Sequence, residues 1–264
     1  MLGHVLYPVF RRVQFRGKAR LRRILPVPAE GRPLVRFAGD VSLRLDLRES
    51  LQRDFYFGLC DQTELGLMRN HLGGDFVDVG AHIGMYTVRA ARELEGRGRV
   101  LAFEPNPATR AQLEENVALN RCANVAVVAA AAGAAAGHAV LHVPATADSS
   151  FSSLEPGRFA DAEPLEVETT TVDEQVTEHA LAPSFLKVDV EGREVDVLRG
   201  ATETLARFRP TVLVEVSERT APEVQRLLHG YGASRIAGGR VFSGLAGGRG
   251  LFNALFRPDP AARE

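Results

Sequence analysis

A short run of charged residues in FLKVDVEGRE is the part of the sequence that points most directly to chemistry. Lys187 is one of only two lysines in the chain, which otherwise uses arginine for its permanent positive charges. Asp189 and Glu191 follow at alternate positions, and Glu215 ends the next apolar run, TVLVEV. Alternate side chains of a strand share one face. We therefore expect these four side chains to cluster at one edge of a sheet, where they could bind a polar substrate and accept its proton.

Each of these side chains also has a structural interpretation, which the sequence leaves open. Lys187 could be a buried counter-ion for Asp189 or Glu215, although a lysine retained in an arginine-rich chain favours a site that needs a compact charge. Glu191 could cap the following helix or pair with Arg193. Asp189 is the strongest candidate to face the acceptor, where it could accept a proton or ligate a divalent cation.

Two further catalytic possibilities remain open. His82 could act as a general base, because histidine titrates near neutral pH, or it could simply be a loop residue bonded to backbone. A divalent cation such as Mg²⁺ could be held by carboxylates at strand ends, whereas no His/Cys set suits zinc.

A second block, FVDVGAHIGMYTVRAARELEGRGRVLAFEPN, has the order strand, glycine loop, helix and strand. Asp78 lies near the end of the first strand, Gly80 and Gly84 lie in the loop, and Glu104 ends the second strand. Ligands of open α/β sheets bind beyond the carboxyl ends of the strands. An acid roughly 20 residues beyond the glycine loop is placed to accept hydrogen bonds from ribose hydroxyls. The block therefore predicts a nucleoside-containing cofactor.

The glycine loop favours S-adenosylmethionine over a dinucleotide. Its spacing is G-A-H-I-G, so His82 stands where a dinucleotide loop has its middle glycine. Asp78 would repel a pyrophosphate but would attract the sulfonium and ammonium groups of S-adenosylmethionine. An NAD(P)-dependent oxidoreductase on a similar sheet remains the alternative.

Alternating strands and helices between residues 76 and 216, among them a strand at 124–132 and a helix at 193–207, must position these side chains. This order predicts a mainly parallel sheet with helices on both faces. The last two strands, predicted at 233–243 and 251–256, have no helix between them and indicate an antiparallel closing hairpin. We divide the chain into an N-terminal basic extension, 1–50, and a catalytic domain, 51–264. The long loop at 144–164 either faces the substrate or is a flexible insertion.

Composition excludes several classes of protein. The net charge of −1 gives no general attraction for nucleic acid, and two cysteines without a CxxC motif indicate a reduced, cytoplasmic protein. No apolar run approaches the roughly 18–20 residues of a membrane span. The basic N-terminus could pack on the domain or touch a membrane surface. The oligomeric state is not predicted.

Three motifs together resemble the FkbM-type methyltransferases: DVGAHIGMYT, then VLAFEPNPATRAQLEENVALN, then FLKVDVEGREVDVLRGATETLARFRPTVLVEV. The resemblance covers about residues 53–216, and it implies a Rossmann-like class I methyltransferase fold with a seven-stranded sheet. It also implies S-adenosylmethionine-dependent O-methylation of a small molecule, such as a sugar, glycan or polyketide-type natural product of secondary metabolism. A catalytically inactive scaffold with the same fold is the other alternative.

The resemblance also implies roles for individual residues. The cofactor would be bound by the glycine loop, the two strand ends and the residues just beyond them, which are Asp78, Gly80, Ala81, His82, Gly84, Glu104, Pro105, Asn106 and Asp189. Within this set, Glu104 would bind the ribose, and Pro105 and Asn106 would lie beside the adenine. His82 departs from the family, which usually has asparagine at this position.

Overall fold

The computed structural model describes residues 31–37, 40–59, 62–144, 152–154 and 161–261. The predicted basic helix of the N-terminus and most of the predicted substrate-facing loop lie outside the described residues. No helix within these ranges is both long enough and apolar enough to cross a membrane.

A large, mostly parallel sheet forms the centre of the molecule. Its strands are β3 (Asp75–Val79), β4 (Val100–Phe103), β5 (Val125–Val128), β9 (Pro183–Val188), β10 (Thr211–Ser217), β11 (Tyr231–Ala237), β12 (Arg240–Ser243) and β13 (Leu251–Pro258). Their order in the sheet is β12-β11-β13-β10-β9-β3-β4-β5, and β13 runs antiparallel to both of its neighbours. The predicted mainly parallel sheet with an antiparallel closing hairpin is thus confirmed.

The sheet has eight strands rather than the predicted seven, because the single strand expected at 233–243 is a hairpin. Gly238 and Gly239 form its turn with φ values of +56° and +74°. Glycine adopts this left-handed conformation without steric cost. The chain therefore folds back, and β12 becomes an extra edge strand on β11.

Helices cover the sheet, and in the described part of the chain they include two that were not predicted, at Ser50–Phe57 and Val172–Glu178. The helices are α1 (Ser50–Phe57), α2 (Gln62–His71), α3 (Met85–Glu93), α4 (Pro107–Leu119), α5 (Val172–Glu178), α6 (Glu194–Arg199), α7 (Thr202–Phe208) and α8 (Ala221–Leu227). The helix predicted at 193–207 is divided into α6 and α7. At the break, a Cβ on Gly200 would lie 2.0 Å from the carbonyl oxygen of Gly133, so this close approach requires glycine.

In the part of the chain that the structure describes, two smaller sheets accompany the central one. β1 (Leu34–Arg36) and β2 (Ser42–Arg44) form an antiparallel pair. β6 (Ala131–Ala132), β8 (Ala162–Thr170) and β7 (Gly137–Pro144) form a three-stranded sheet in that order. The predicted strand at 124–132 is therefore two strands in two sheets, β5 and β6.

The core lies on both faces of the central sheet. Phe76 and Phe185 belong to one apolar cluster, whereas their chain neighbours Val77 and Leu186 belong to another. Because side chains alternate along a strand, these two clusters lie on opposite faces. A sheet buried on both faces explains why β3, β4 and β9 read as nearly continuous apolar runs.

Candidate active site

A cleft lies at the carboxyl ends of β3, β4 and β9, where the topology brings the predicted site residues together. Its free volume, including the solvent at its open mouth, is about 600 Å³. The glycine loop, the end of β4, the segment after β9 and the three-stranded sheet all contribute to it. Its lining residues are Val79, Gly80, His82, Phe103, Glu104, Pro105, Ala131, Ala132, Leu141, Ser152, Leu154, Asp189, Val190 and Glu191.

Gly80 is at the point where the glycine loop touches the segment after β9. Its φ is +78°, and a Cβ added to it would lie 1.8 Å from the carbonyl oxygen of Asp189. That contact is with backbone, which cannot rotate away. The residue must therefore be glycine for the two segments to meet at the floor of the cleft.

We expect Gly80→Ala to lower the free energy of unfolding by clearly more than about 1 kcal/mol, because it combines backbone strain with a collision. Gly96→Ala is the matched control, since Gly96 also has a positive φ, of +73°, but has no heavy atom within 4 Å of an added Cβ. Urea denaturation of both variants measures the difference. Equal losses of stability would contradict a special requirement at Gly80.

Gly84 and Ala81 shape the loop without lining the cleft. Gly84 precedes α3 with a φ of +89°, and its Cβ would lie 2.6 Å from Cδ1 of Leu113 on α4. Ala81 is buried in the cluster that contains Leu113, and its N–H donates to the carbonyl oxygen of Phe103. Both residues therefore pack the loop against β4 and α4.

Glu104 is a buried carboxylate in the wall of the cleft. Its two oxygens accept hydrogen bonds from the backbone N–H groups of His82, at 2.9 Å, and Asn106, at 3.0 Å. Burial raises the pKa of the Glu104 carboxyl, and His82 and the two backbone donors offset this only in part. Since a carboxylate can accept about four hydrogen bonds, Glu104 retains capacity for a ligand in the cleft.

The residues after Glu104 divide into one that lines the cleft and one that caps a helix. Pro105 lines the cleft. The Asn106 side chain accepts a hydrogen bond from the N–H of Ala108 and so caps α4. Asparagine is a favoured residue at this position of a helix.

His82 connects the cleft to the end of the N-terminal extension. Its φ is +50°, a region that asparagine and histidine enter more readily than most residues. Its ring Nε2 lies 3.4 Å from Oε2 of Glu49, just before α1, and both side chains are mostly buried. In this arrangement the ring faces a carboxylate, and the backbone N–H of the same residue holds Glu104.

Asp78 and Lys187 form a buried ion pair outside the lining of the cleft. They are directly opposite on β3 and β9, with Nζ 3.5 Å from Oδ1. Asp78 is fully buried and also accepts a hydrogen bond of 2.6 Å from Oγ1 of Thr87. The Lys187 ammonium group donates to the carbonyl oxygen of Gly80 at 3.2 Å and lies 5.1 Å from the ring centre of Tyr86.

The other charged candidates lie in three different positions. Asp189 Oδ2 is 3.6 Å from Lys187 Nζ, and its side chain is 42% exposed, so it joins the ion pair to the cleft. Glu191 lines the cleft. Glu215 is beside Asn253 of β13 and does not line the cleft. The structure therefore groups Asp78, Lys187 and Asp189 closely, and Glu191 lines the same cleft as Asp189.

Much of the apolar lining was not predicted. Phe103 and Val190 are in strands or motifs already assigned to the site, so strand position could have identified them. Ala131 and Leu141 reach the cleft because the three-stranded sheet packs beside it, and their sequence context gives no signal of this. Leu154 belongs to the loop at 144–164, for which a substrate-facing position was one of the two alternatives. Among the described residues, no group of three or more His, Cys, Asp or Glu side chains is arranged to hold a metal ion.

Residues 78–235 match the family model of the methyltransferase FkbM domain, and this span is more than half of the chain. The chain belongs to the FkbM methyltransferase family. The sequence motifs that resembled this family lie largely within the matched span, and the predicted membership is confirmed. No curated protein matches the sequence.

A solved FkbM methyltransferase shares the fold of this FkbM methyltransferase. The methyltransferase FkbM from Methylobacillus flagellatus KT has 18% sequence identity and a TM-score of 0.51, over 78% of this chain and 54% of that chain. This chain thus spans about half the length of that protein. A precorrin-6y C5,15-methyltransferase from Geobacter metallireducens GS-15 has 13% identity and a TM-score of 0.46, over 75% of this chain and 89% of that chain. The fold is that of class I methyltransferases, as predicted.

Proposed function

We propose that the protein transfers a methyl group from S-adenosylmethionine to a hydroxyl of a small molecule. The observation that carries the proposal is the buried Glu104 carboxylate, fixed by two backbone N–H groups in the wall of a largely apolar cleft. A carboxylate at the end of the second strand can accept both hydroxyls of a ribose.

The remaining lining fits the other parts of this cofactor. Phe103, Ala131 and Leu141 offer an apolar surface for a flat base. Gly80 has no side chain, so the ligand can approach the backbone of the loop, and Asp189 offers a negative charge near the same point. When bound, S-adenosylmethionine supplies a methyl group on a positively charged sulfur.

The chain's own residues would orient the acceptor and take its proton. Asp189 is half-exposed in the cleft and is held near the Lys187 ammonium group, so it can accept a hydrogen bond from a hydroxyl. Glu191 provides a second carboxylate in the lining. Hydroxyl-rich acceptors such as sugars, glycans and polyketide-type products suit these groups, because each hydroxyl can donate to a carboxylate.

Isothermal titration with S-adenosylhomocysteine and, separately, with NADH tests the choice of cofactor. We expect measurable binding of S-adenosylhomocysteine and none of NADH, because the spacing of the glycine loop lacks the tight turn that holds a pyrophosphate at a helix N-terminus. Binding of NADH without binding of S-adenosylhomocysteine would instead support an oxidoreductase.

Methyl transfer is tested with S-adenosylmethionine labelled on its methyl group and a panel of sugars, glycans and polyketide hydroxyls. Incorporation of label into a hydroxyl acceptor is the expected result. Cofactor binding without any labelled product across the panel would favour a scaffold that has lost its chemistry.

A further inference from the structure

We propose that Glu194 is a positioning residue that folds the segment 189–192, which lines the cleft. This role for the methyl-transfer site rests on the proposed function, whereas the effect on the segment itself does not. Glu194 begins α6 and is 3% exposed. It does not line the cleft itself and reaches the lining through this segment.

The contact is one carboxylate oxygen shared by two backbone donors. Oε1 of Glu194 accepts hydrogen bonds from the N–H of Gly192, at 2.9 Å, and of Val190, at 3.2 Å. Both donors lie beyond Val188, the last residue of β9 that pairs with β3 and β10. The side chain therefore replaces the sheet as the acceptor for these N–H groups.

The segment needs this support because its backbone is strained. Glu191 has a φ of +55°, which is uncommon for a residue other than glycine, and Gly192 has a φ of +112°. Glu191 therefore lies in a sparsely populated region that persists only when the surroundings hold it, whereas Gly192 adopts its positive φ without steric cost. The turn directs Asp189 and Glu191 to the cleft.

Contacts from other elements hold the same segment. Oγ of the fully buried Ser153 donates to the carbonyl oxygen of Glu191 at 2.7 Å. The N–H of Asp189 donates to the carbonyl oxygen of Val79 at 3.1 Å. Together with Glu194, these contacts fix successive residues of the segment from three directions, so that its carboxylates meet the cleft in one geometry.

The role requires an acceptor oxygen rather than a negative charge. Burial raises the pKa of the Glu194 carboxyl, and the backbone donors of Val190 and Gly192 partly offset this effect. Glutamine has the same length and keeps one acceptor oxygen. Glu194→Gln should therefore keep the segment 189–192 folded, whereas Glu194→Ala should not.

Hydrogen exchange of the backbone amides of Val190 and Gly192, followed by NMR in the ligand-free protein, tests the proposal directly. We expect Glu194→Ala to accelerate exchange at both amides by about tenfold or more, because the substitution removes the shared acceptor of both hydrogen bonds that hold the segment. Glu194→Gln should stay within about threefold of the wild type. If the alanine variant does not fold, Glu194→Asp provides the test, because its shorter side chain cannot reach both N–H groups.

The affinity for S-adenosylhomocysteine tests whether the fold of the segment 189–192 affects the methyl-transfer site. We expect a loss of about tenfold in Glu194→Ala and recovery in Glu194→Gln. Glu174→Ala is the matched control, because Glu174 also accepts a backbone N–H bond, from Thr171 at 3.1 Å, but does not line the cleft. This control should bind S-adenosylhomocysteine as the wild type does.

Unchanged exchange at both amides in Glu194→Ala would overturn the proposal, as would a glutamine variant that exchanges as fast as the alanine one. A different result would contradict the proposed function alone: wild-type protein would not bind S-adenosylhomocysteine, although the exchange rates would still respond to the substitution of Glu194.

Discussion

Replacing Lys187 by methionine is expected to lower the free energy of unfolding by about 3–5 kcal/mol, the usual effect of removing one partner of a buried ion pair. Asp78 is fully buried, and the ammonium group of Lys187 is 3.5 Å from its Oδ1. Methionine has a similar length and is apolar, so it fills the space and leaves the carboxylate without its charge partner. Urea denaturation at pH 7 measures the loss.

A double variant, Asp78→Asn/Lys187→Met, separates the lost ion pair from other effects at Lys187. The amide that this variant carries at position 78 is neutral and can still accept the hydrogen bond that Thr87 donates to Asp78. We expect the double variant to be more stable than Lys187→Met alone, because no unpaired charge remains buried. If the double variant is no more stable than the single one, the ion pair is not what Lys187 contributes.

Replacing Glu104 by alanine is expected to weaken the binding of S-adenosylhomocysteine by about 100-fold or more. Two hydrogen bonds from a ribose to an ionised carboxylate are worth about 1.5–3 kcal/mol each. The substitution also leaves the N–H groups of His82 and Asn106 without their acceptor, which loosens the loop and the start of α4. Isothermal titration below the melting temperature of the variant measures the change.

Replacing Glu104 by glutamine is not expected to preserve the binding of S-adenosylhomocysteine, in contrast to the same replacement at Glu194. Each Glu104 oxygen faces a backbone N–H donor, so the NH₂ group of a glutamine would be opposed to one of them. Asp189→Asn is compared with Glu104→Ala to separate the methyl-transfer step from cofactor binding. Asp189→Asn should keep the cofactor affinity within about fivefold while lowering turnover, because an amide cannot accept the proton. Equal loss of cofactor affinity in both variants would show that the two strand ends do not have separate roles.

The arrangement of the central sheet could be predicted because parallel strands buried on both faces leave a strong pattern of apolar runs and intervening helices. The edge of the sheet was harder to predict. The strand expected at 233–243 is a hairpin, since two glycines with positive φ reverse the chain within it. The helix expected at 193–207 is broken at Gly200 by a contact with Gly133, which is distant in sequence.

Part of the candidate site was predicted from the sequence. The alternation of side chains along a strand explains which predicted residues line the cleft and which do not. Val79 lines the cleft, whereas its neighbour Asp78 points to the other face of the sheet and meets Lys187. Motif spacing identifies the strand end but does not say which of two adjacent residues faces a ligand. The role of Glu194 could not be read from the sequence either, because it depends on a turn that only the folded segment has.

The sequence by itself determined the family, the alternation of strands and helices around a mainly parallel sheet, and the two strand ends that carry Glu104 and Asp189. These features follow from local patterns of apolar residues, glycines and acids. Only the tertiary structure decided that Asp78 is paired with Lys187, that Gly84 packs against Leu113, and that Leu141 covers the cleft. Each of these outcomes depends on which distant residue occupies the same space, and a linear pattern does not contain that information.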